Sequence, residues 1–260
     1  MGVNNSSKTR VQPIFDQLYA KDKSGMSWLP RLLQLPEAGA SIDLSQVVDY
    51  EIVSSGWESQ VAGKREFSLD SPVSLLSWLI RHPRQPTSGT LSDDPEKKKK
   101  RQEWIACSPA RLMEALRLLR NNPQGEDWFI FEGPSQPDVY IETKNLIVVI
   151  EGKRTEPKPT TSTKWMPGRH QMLRHLDCAW EVKGRKQIIG FFIVEGFGDT
   201  VDVPANWITF SHQTISSQAV STSLPHRGPE EQAAIARGFK GITTWQRVCS
   251  EFNIEWGKMP

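Results

Sequence analysis

Asp138, Glu151 and Lys153 are the residues of this chain whose types and spacing could do chemistry. Asp138 follows Pro137 and opens a short alternating run, Val139 to Glu142. Glu151-Gly152-Lys153 closes the most apolar, β-branched run in the sequence, Asn145 to Ile150. Such a run reads as a buried strand. Charged side chains seldom end one unless they are paired or bind a metal. Thr143-Lys144-Asn145-Leu146 reads as a tight turn, because Asn tolerates the left-handed backbone that short hairpins need. A hairpin centred between Lys144 and Asn145 puts Asp138 opposite Glu151, with Cβ atoms roughly 5 Å apart. Lys153, two residues further on, points to the same face. Carboxylates that close repel unless a cation lies between them, and a divalent metal with oxygen ligands is the economical partner. The plainer readings are a turn residue after proline for Asp138 and a surface partner of Glu151 or Glu156 for Lys153, worth little energetically.

The elements around this hairpin must hold it. Ser108-Pro109 starts a capped helix through about Arg120, with Leu112, Ala115, Leu116 and Leu119 as its core stripe. Glu126 to Phe131 reads as a strand before the hairpin. After it, a Pro- and Thr-rich loop leads to a long helix from about Pro167 to Lys183, and Gln187 to Glu195 is an apolar strand. Residues 1–24 are polar and weakly patterned and read as a flexible leader. Residues 25–105 read as an accessory region, with a strand at Val47 to Val53 and a helix opened by Ser71-Pro72. Its end, residues 86–101, reads as an exposed linker that carries Lys97 to Arg101, either a solvated charge run or a contact for phosphate. Residues 106–256 form the main domain. There the Ser/Thr/Gln-rich stretch Ser211 to Ser223 reads as a loop and Pro229 to Arg237 as a short helix. Thr243 to Gln246 offers a capping box for a last helix through about Phe252.

Pro-Asp, a hairpin and Glu-x-Lys, set in the order helix, three strands, helix, strand over about residues 106–196, resembles the PD-(D/E)xK nuclease superfamily. The resemblance implies an α/β fold with a restriction-endonuclease-like αβββαβ core. That is a mixed sheet flanked by helices, here with N-terminal and C-terminal helical additions. It implies a metal-dependent nuclease acting on DNA phosphodiesters, as an endonuclease, with Mg2+ as the ion and Mn2+ able to substitute. By the same resemblance Asp138 and Glu151 are metal ligands and the Gly152 carbonyl is a further one. Lys153 would sit near the scissile phosphate, steadying developing charge. Many members carry a further acid on the helix before the strands, a place that Glu114 occupies in sequence order. Glu114 lies opposite the leucine stripe, so a solvated glutamate between Arg111 and Arg117 is the other reading. Some branches carry Gln-x-x-x-Tyr on the following helix. Gln171 fits, but His175 stands where the tyrosine would, and the pair reads equally as an active-site lining or a polar helix margin. Lys144, Arg154, Lys158, Lys164, Arg169 and Arg174 would make a basic rim for a phosphate backbone. Many members act as dimers, so a homodimer is one expectation. A non-catalytic nucleic-acid- or protein-binding module on the same fold is the alternative.

Composition is compatible with these readings. At 260 residues, 37% hydrophobic and 24% charged, the chain resembles a globular protein. No run is long enough for a membrane span, and no basic-then-apolar leader points to export, so a cytoplasmic protein is expected. Met1 to Ser6 matches a myristoylation pattern and is read as chance. Cys107, Cys178 and Cys249 form no CxxC pair, which argues against a zinc site. The net charge of +2 means that any nucleic-acid contact must come from a local basic surface.

Overall fold

The computed structural model describes residues 6–256, apart from 41–43, 45–46, 48, 60, 62–64, 83–94, 97–98, 100–108, 124–130 and 164–165. Among these, six strands form one mixed sheet flanked by helices. The strands are β1 (Glu37–Ala38), β2 (Ile52–Trp57), β3 (Val139–Thr143), β4 (Leu146–Gly152), β5 (Gln187–Val194) and β6 (Phe239–Thr244). Their order across the sheet is β1-β6-β5-β4-β3-β2. β3 and β4 make the expected antiparallel hairpin, in the register Val139↔Ile150 to Glu142↔Ile147. Thr143 holds the turn, its hydroxyl accepting from the Asn145 and Leu146 amides. β4 then pairs with β5, and β5 with β6, both parallel.

Every residue of β4 is buried, because helices cover both faces of the sheet. On one face Val139, Ile141, Val148, Ile150, Phe191 and Ile193 pack against α1 (Gln12–Lys21), α2 (Leu29–Leu32) and α9 (Trp245–Phe252). On the other, Tyr140, Ile147, Val149, Ile188 and Phe192 meet α5 (Gln171–Val182), α6 (Ala205–Thr214), α7 (Ser217–Ser223) and α8 (Pro229–Arg237). Each aliphatic side chain buried this way contributes about 1.5–3 kcal/mol of transfer free energy. A third cluster joins α3 (Val73–Arg81) to α4 (Pro109–Asn121) through Leu75, Leu76, Leu79, Ile80, Ala115, Leu116 and Leu119.

Several expectations are corrected. The segment read as a flexible leader is helical from residue 6: a π-helical turn, Ser7–Val11, runs into α1, and Val11, Ile14, Phe15 and Leu18 are fully buried. The strand expected at 126–131 falls outside the described residues except for Phe131, which lies in a turn. The neighbour of β3 is β2, so residues 25–105 lend a strand to the main sheet. The stretch 211–223, expected as a loop, is largely α6 and α7. β6 fills the span between the two expected C-terminal helices, and its register against β5 shifts between Phe239 and Gly241, where the strand is bulged. The cap of α9 is Thr244 rather than Thr243. The basic run 97–101 lies outside the described residues but for Lys99.

Candidate active site

The β3–β4 register continues one step to set Asp138 abreast of Glu151. Asp138 is fixed at both oxygens. Its Oδ2 accepts from the Gly152 amide at 2.8 Å, and its Oδ1 accepts from the Ser7 hydroxyl at 3.0 Å. Gly152 is where the backbone must be bare, since a Cβ there would lie 2.7 Å from the Trp245 ring and 3.1 Å from Val11.

Glu151 follows Ile147 and Val149 onto the face covered by α5 and is 5% exposed. Its Oε1 accepts from the Lys153 ammonium at 2.9 Å and from the Gln171 amide at 2.7 Å. Its Oε2 lies 3.0 Å from His175 Nε2, while His175 Nδ1 lies 2.7 Å from the Ser135 hydroxyl. Ser135 and His175 are themselves buried. One turn of α5 separates Gln171 from His175, so both reach the same carboxylate. The Gln171 orientation is set by that carboxylate, which demands the NH2 group. Gln171 Oε1 is left buried and accepts no hydrogen bond from the described residues.

The electrostatics divide the two acids. Burial pushes the Asp138 carboxyl up to about 7, and the Glu151 charge adds to it. Burial also works to raise Glu151, but the hydrogen bond and charge of His175, then Lys153, hold it below the ordinary carboxylate range. For Lys153, burial works downward and the Glu151 charge overrides it, so the ammonium is held above its usual value. Glu66, in the segment after β2, is also raised, first by burial and then by Glu58 and Glu151.

Four of the sequence-derived site residues thus come together: Asp138, Glu151, Lys153 and Gln171. Gly152 joins them through its amide. Glu114 does not. It is exposed on α4, whose apolar stripe packs on α3 and Met166 instead of the sheet. The expected basic rim also dissolves in large part. Arg169 is fully buried between Glu132 and Asp177. Arg174 turns inward to the Gly133 and Pro134 carbonyls. Lys144 pairs with Asp49 at the turn end of the hairpin, away from Asp138. Lys164 lies outside the described residues. Arg154 stays near, 3.3 Å from Glu195, which Arg10 also engages at 3.0 Å. Ser7, Arg10, Ser135 and Glu66 were not read as site residues. Ser7, Arg10 and Glu66 come from distant parts of the chain, and Ser135, three residues before Asp138, enters through its bond to His175.

Among the described residues no group of three or more His, Cys, Asp and Glu side chains is arranged to hold a metal ion. Magnesium asks for less, one or two carboxylates with the remainder from water and phosphate. Two hard carboxylates that repel each other, beside a buried and unpartnered Gln171 Oε1, fit that need. Among the described residues no helix is long and apolar enough to cross a membrane. No family model matches the chain, and no curated protein or solved structure matches it either.

Proposed function

We propose that this chain is a metal-dependent nuclease of restriction-endonuclease-like fold that hydrolyses DNA phosphodiester bonds internally. One observation carries the reading: a register-matched pair of repelling carboxylates, one of which shares an oxygen with an ammonium and a glutamine amide. Asp138 and Glu151 would hold Mg2+ or Mn2+, with the Gly152 carbonyl as a further ligand. When bound, the cation supplies Lewis-acid polarisation of the phosphodiester and makes water a better nucleophile. The rest falls to the chain. Lys153, held fully charged, presents its ammonium to the phosphate as negative charge builds on its oxygens. Gln171 Oε1 is a spare acceptor that can orient a water proton. His175, backed by Ser135, fixes the Glu151 carboxylate so that Oε1 stays on the Lys153 side.

The test compares wild type with Asp138→Ala, Glu151→Ala and Lys153→Ala on plasmid, linear and single-stranded DNA, with and without magnesium. Wild type is expected to cleave only with the metal. Both carboxylate variants lose cleavage and metal affinity together. Lys153→Ala retains metal binding and loses about a hundredfold or more in rate, the usual worth of one such donor. Equal activity of wild type and Glu151→Ala overturns the assignment.

One observation favours the second reading, a binding module without catalysis. All four carboxylate oxygens of Asp138 and Glu151 already accept hydrogen bonds from the chain. That reading expects nucleic-acid binding by wild type and by Glu151→Ala alike, with no cleavage under any metal.

A further inference from the structure

Phe197 stands 87% exposed, the most exposed of the large hydrophobic side chains among the described residues. It sits at the tip of the loop that leaves β5, and that loop is held down. Gln246, itself buried, spends its whole side-chain amide there. It accepts from the Gly196 amide at 2.9 Å and donates to the Gly196 and Gly198 carbonyls at 3.3 and 2.9 Å. The Thr200 hydroxyl and amide both donate to the Phe197 carbonyl, at 3.0 and 3.2 Å. Thr244 donates to the Val201 carbonyl at 2.8 Å. Gly196 admits no side chain, because a Cβ would lie 2.7 Å from the Thr200 carbonyl oxygen.

The root of this loop adjoins the candidate site. The Lys153 amide donates to the Ile193 carbonyl, and the Glu195 amide donates to the Lys153 carbonyl. The Glu195 carboxylate then draws in Arg10 and Arg154, two cations for one anion. Further out, Asp199 and Asp202 are exposed and acidic. Cations therefore gather at the root of the loop, beside Lys153, and acids along its outer part. What the tip offers is a bare aromatic face on a rigid mount. Base faces stack on such rings whatever their sequence, and apolar side chains enter between base steps in duplexes.

Taking the nuclease reading above as its basis, we propose that Phe197 stacks on a nucleobase of the nucleic-acid substrate and seats the adjoining phosphodiester near Glu151 and Lys153. The experiment uses the full chain as wild type, Phe197→Ala and Phe197→Trp. The probes are a single-stranded DNA and a DNA duplex, each carrying 2-aminopurine, with calcium as the metal. Affinity is read by fluorescence anisotropy over a salt series, and stacking by quenching of the 2-aminopurine. Phe197→Ala is expected to weaken binding about tenfold to a hundredfold and to abolish quenching, while Phe197→Trp restores both. The slope of log affinity against log salt stays unchanged, because no phosphate contact is lost. A loss confined to the single strand marks a stacking platform, and a loss on both probes marks a wedge. Equal binding and quenching by wild type and Phe197→Ala, with magnesium-dependent cleavage intact, overturns the proposal alone. So does an alanine variant that changes only self-association of the chain. If wild type binds neither probe, the nuclease reading falls and this proposal falls with it.

Discussion

Two clusters of buried charge lie on the same side of the sheet and are built on opposite principles. In one, Arg169 is enclosed by Glu132 at 3.0 Å and Asp177 at 2.8 Å and also donates to the Ser223 carbonyl. Arg227 and His226 close the far side of Asp177. Burial works to raise Asp177, but the Arg169 charge overrides it and holds the carboxyl well below its ordinary range. In the other cluster Asp138 faces Glu151, and burial and repulsion raise it to about 7. In the first arrangement each buried acid touches at least one cation. In the second, Glu151 has Lys153 and His175, but Asp138 accepts from the neutral Ser7 and Gly152 donors and faces another acid. A buried carboxylate therefore says little by itself. The sign of its neighbour separates a brace from a site.

The largest effect expected from this contrast is on stability. Arg169→Met leaves Glu132 and Asp177 buried without their shared cation and should cost about 3–5 kcal/mol, read from urea unfolding. Asp138→Asn removes a repelling charge and keeps the side chain's shape. Metal-free stability should hold or rise in that variant while cleavage is lost. Equal destabilisation by the two substitutions would erase the distinction between the clusters.

The next effect is on pH dependence, where the clusters have opposite signs. Asp138 has an ordinary value of 3.8 and a folded value of about 7. Between those pH values the folded chain holds a proton that the unfolded chain has released. Stability from this group is complete below about pH 4 and is lost as pH rises toward 7. Asp177 is lowered in the folded state. Its contribution is present above about pH 4 and is lost on acidification through the folded value. Urea midpoints taken in a chelator from pH 4 to 8 should therefore fall for wild type and flatten for Asp138→Asn. Magnesium at neutral pH should raise the wild-type midpoint, by preferential binding to the folded state, and leave that of Asp138→Asn unmoved. A wild-type profile as flat as the variant's would remove the electrostatic half of the case for the site.

How far the sequence showed this division depends on the length scale of each signal. The hairpin was legible because its register is set locally, by a turn and the apolar run Leu146 to Ile150 of β4. That register alone aligned Asp138 with Glu151. Gln171 was legible only through the Gln-x-x-x-Tyr helix of the family that the Pro-Asp and Glu-x-Lys motif resembles. Arg169 was misread as rim because it is one of several cations that cluster in sequence around the motif. Its burial is set by Glu132, Asp177 and the Ser223 carbonyl. Ser7 reaches Asp138 across 131 residues of chain, and no local pattern announces such a contact. β6 was hidden because Gly241 interrupts its apolar pattern at a bulge. α6 and α7 are rich in Ser and Thr, residues of middling or weak helix propensity. They stand because Trp207 and Val220 are packed into the core.

The smallest effects fall on two exposed acids and sharpen the contrast most finely. Glu114 lies on α4, whose buried residues face α3, so its carboxylate has solvent around it. Glu114→Ala should change stability by no more than about 0.5 kcal/mol, as surface substitutions do, and should leave metal affinity where it was. Glu66 is also exposed, yet its carboxyl is raised by burial, by Glu58 and by Glu151. An acid that feels Glu151 also adds to the negative field that a cation at Asp138 and Glu151 would meet. Exposed charges couple by about 0.2–1 kcal/mol, so Glu66→Gln should weaken magnesium binding by about 1.4- to fivefold. Because solvent screens this coupling, the difference should shrink as salt is raised. Titration calorimetry of the two variants with magnesium, at low and high salt, separates them. A loss with Glu114→Ala and none with Glu66→Gln would mean that the helical acid reaches the metal after all.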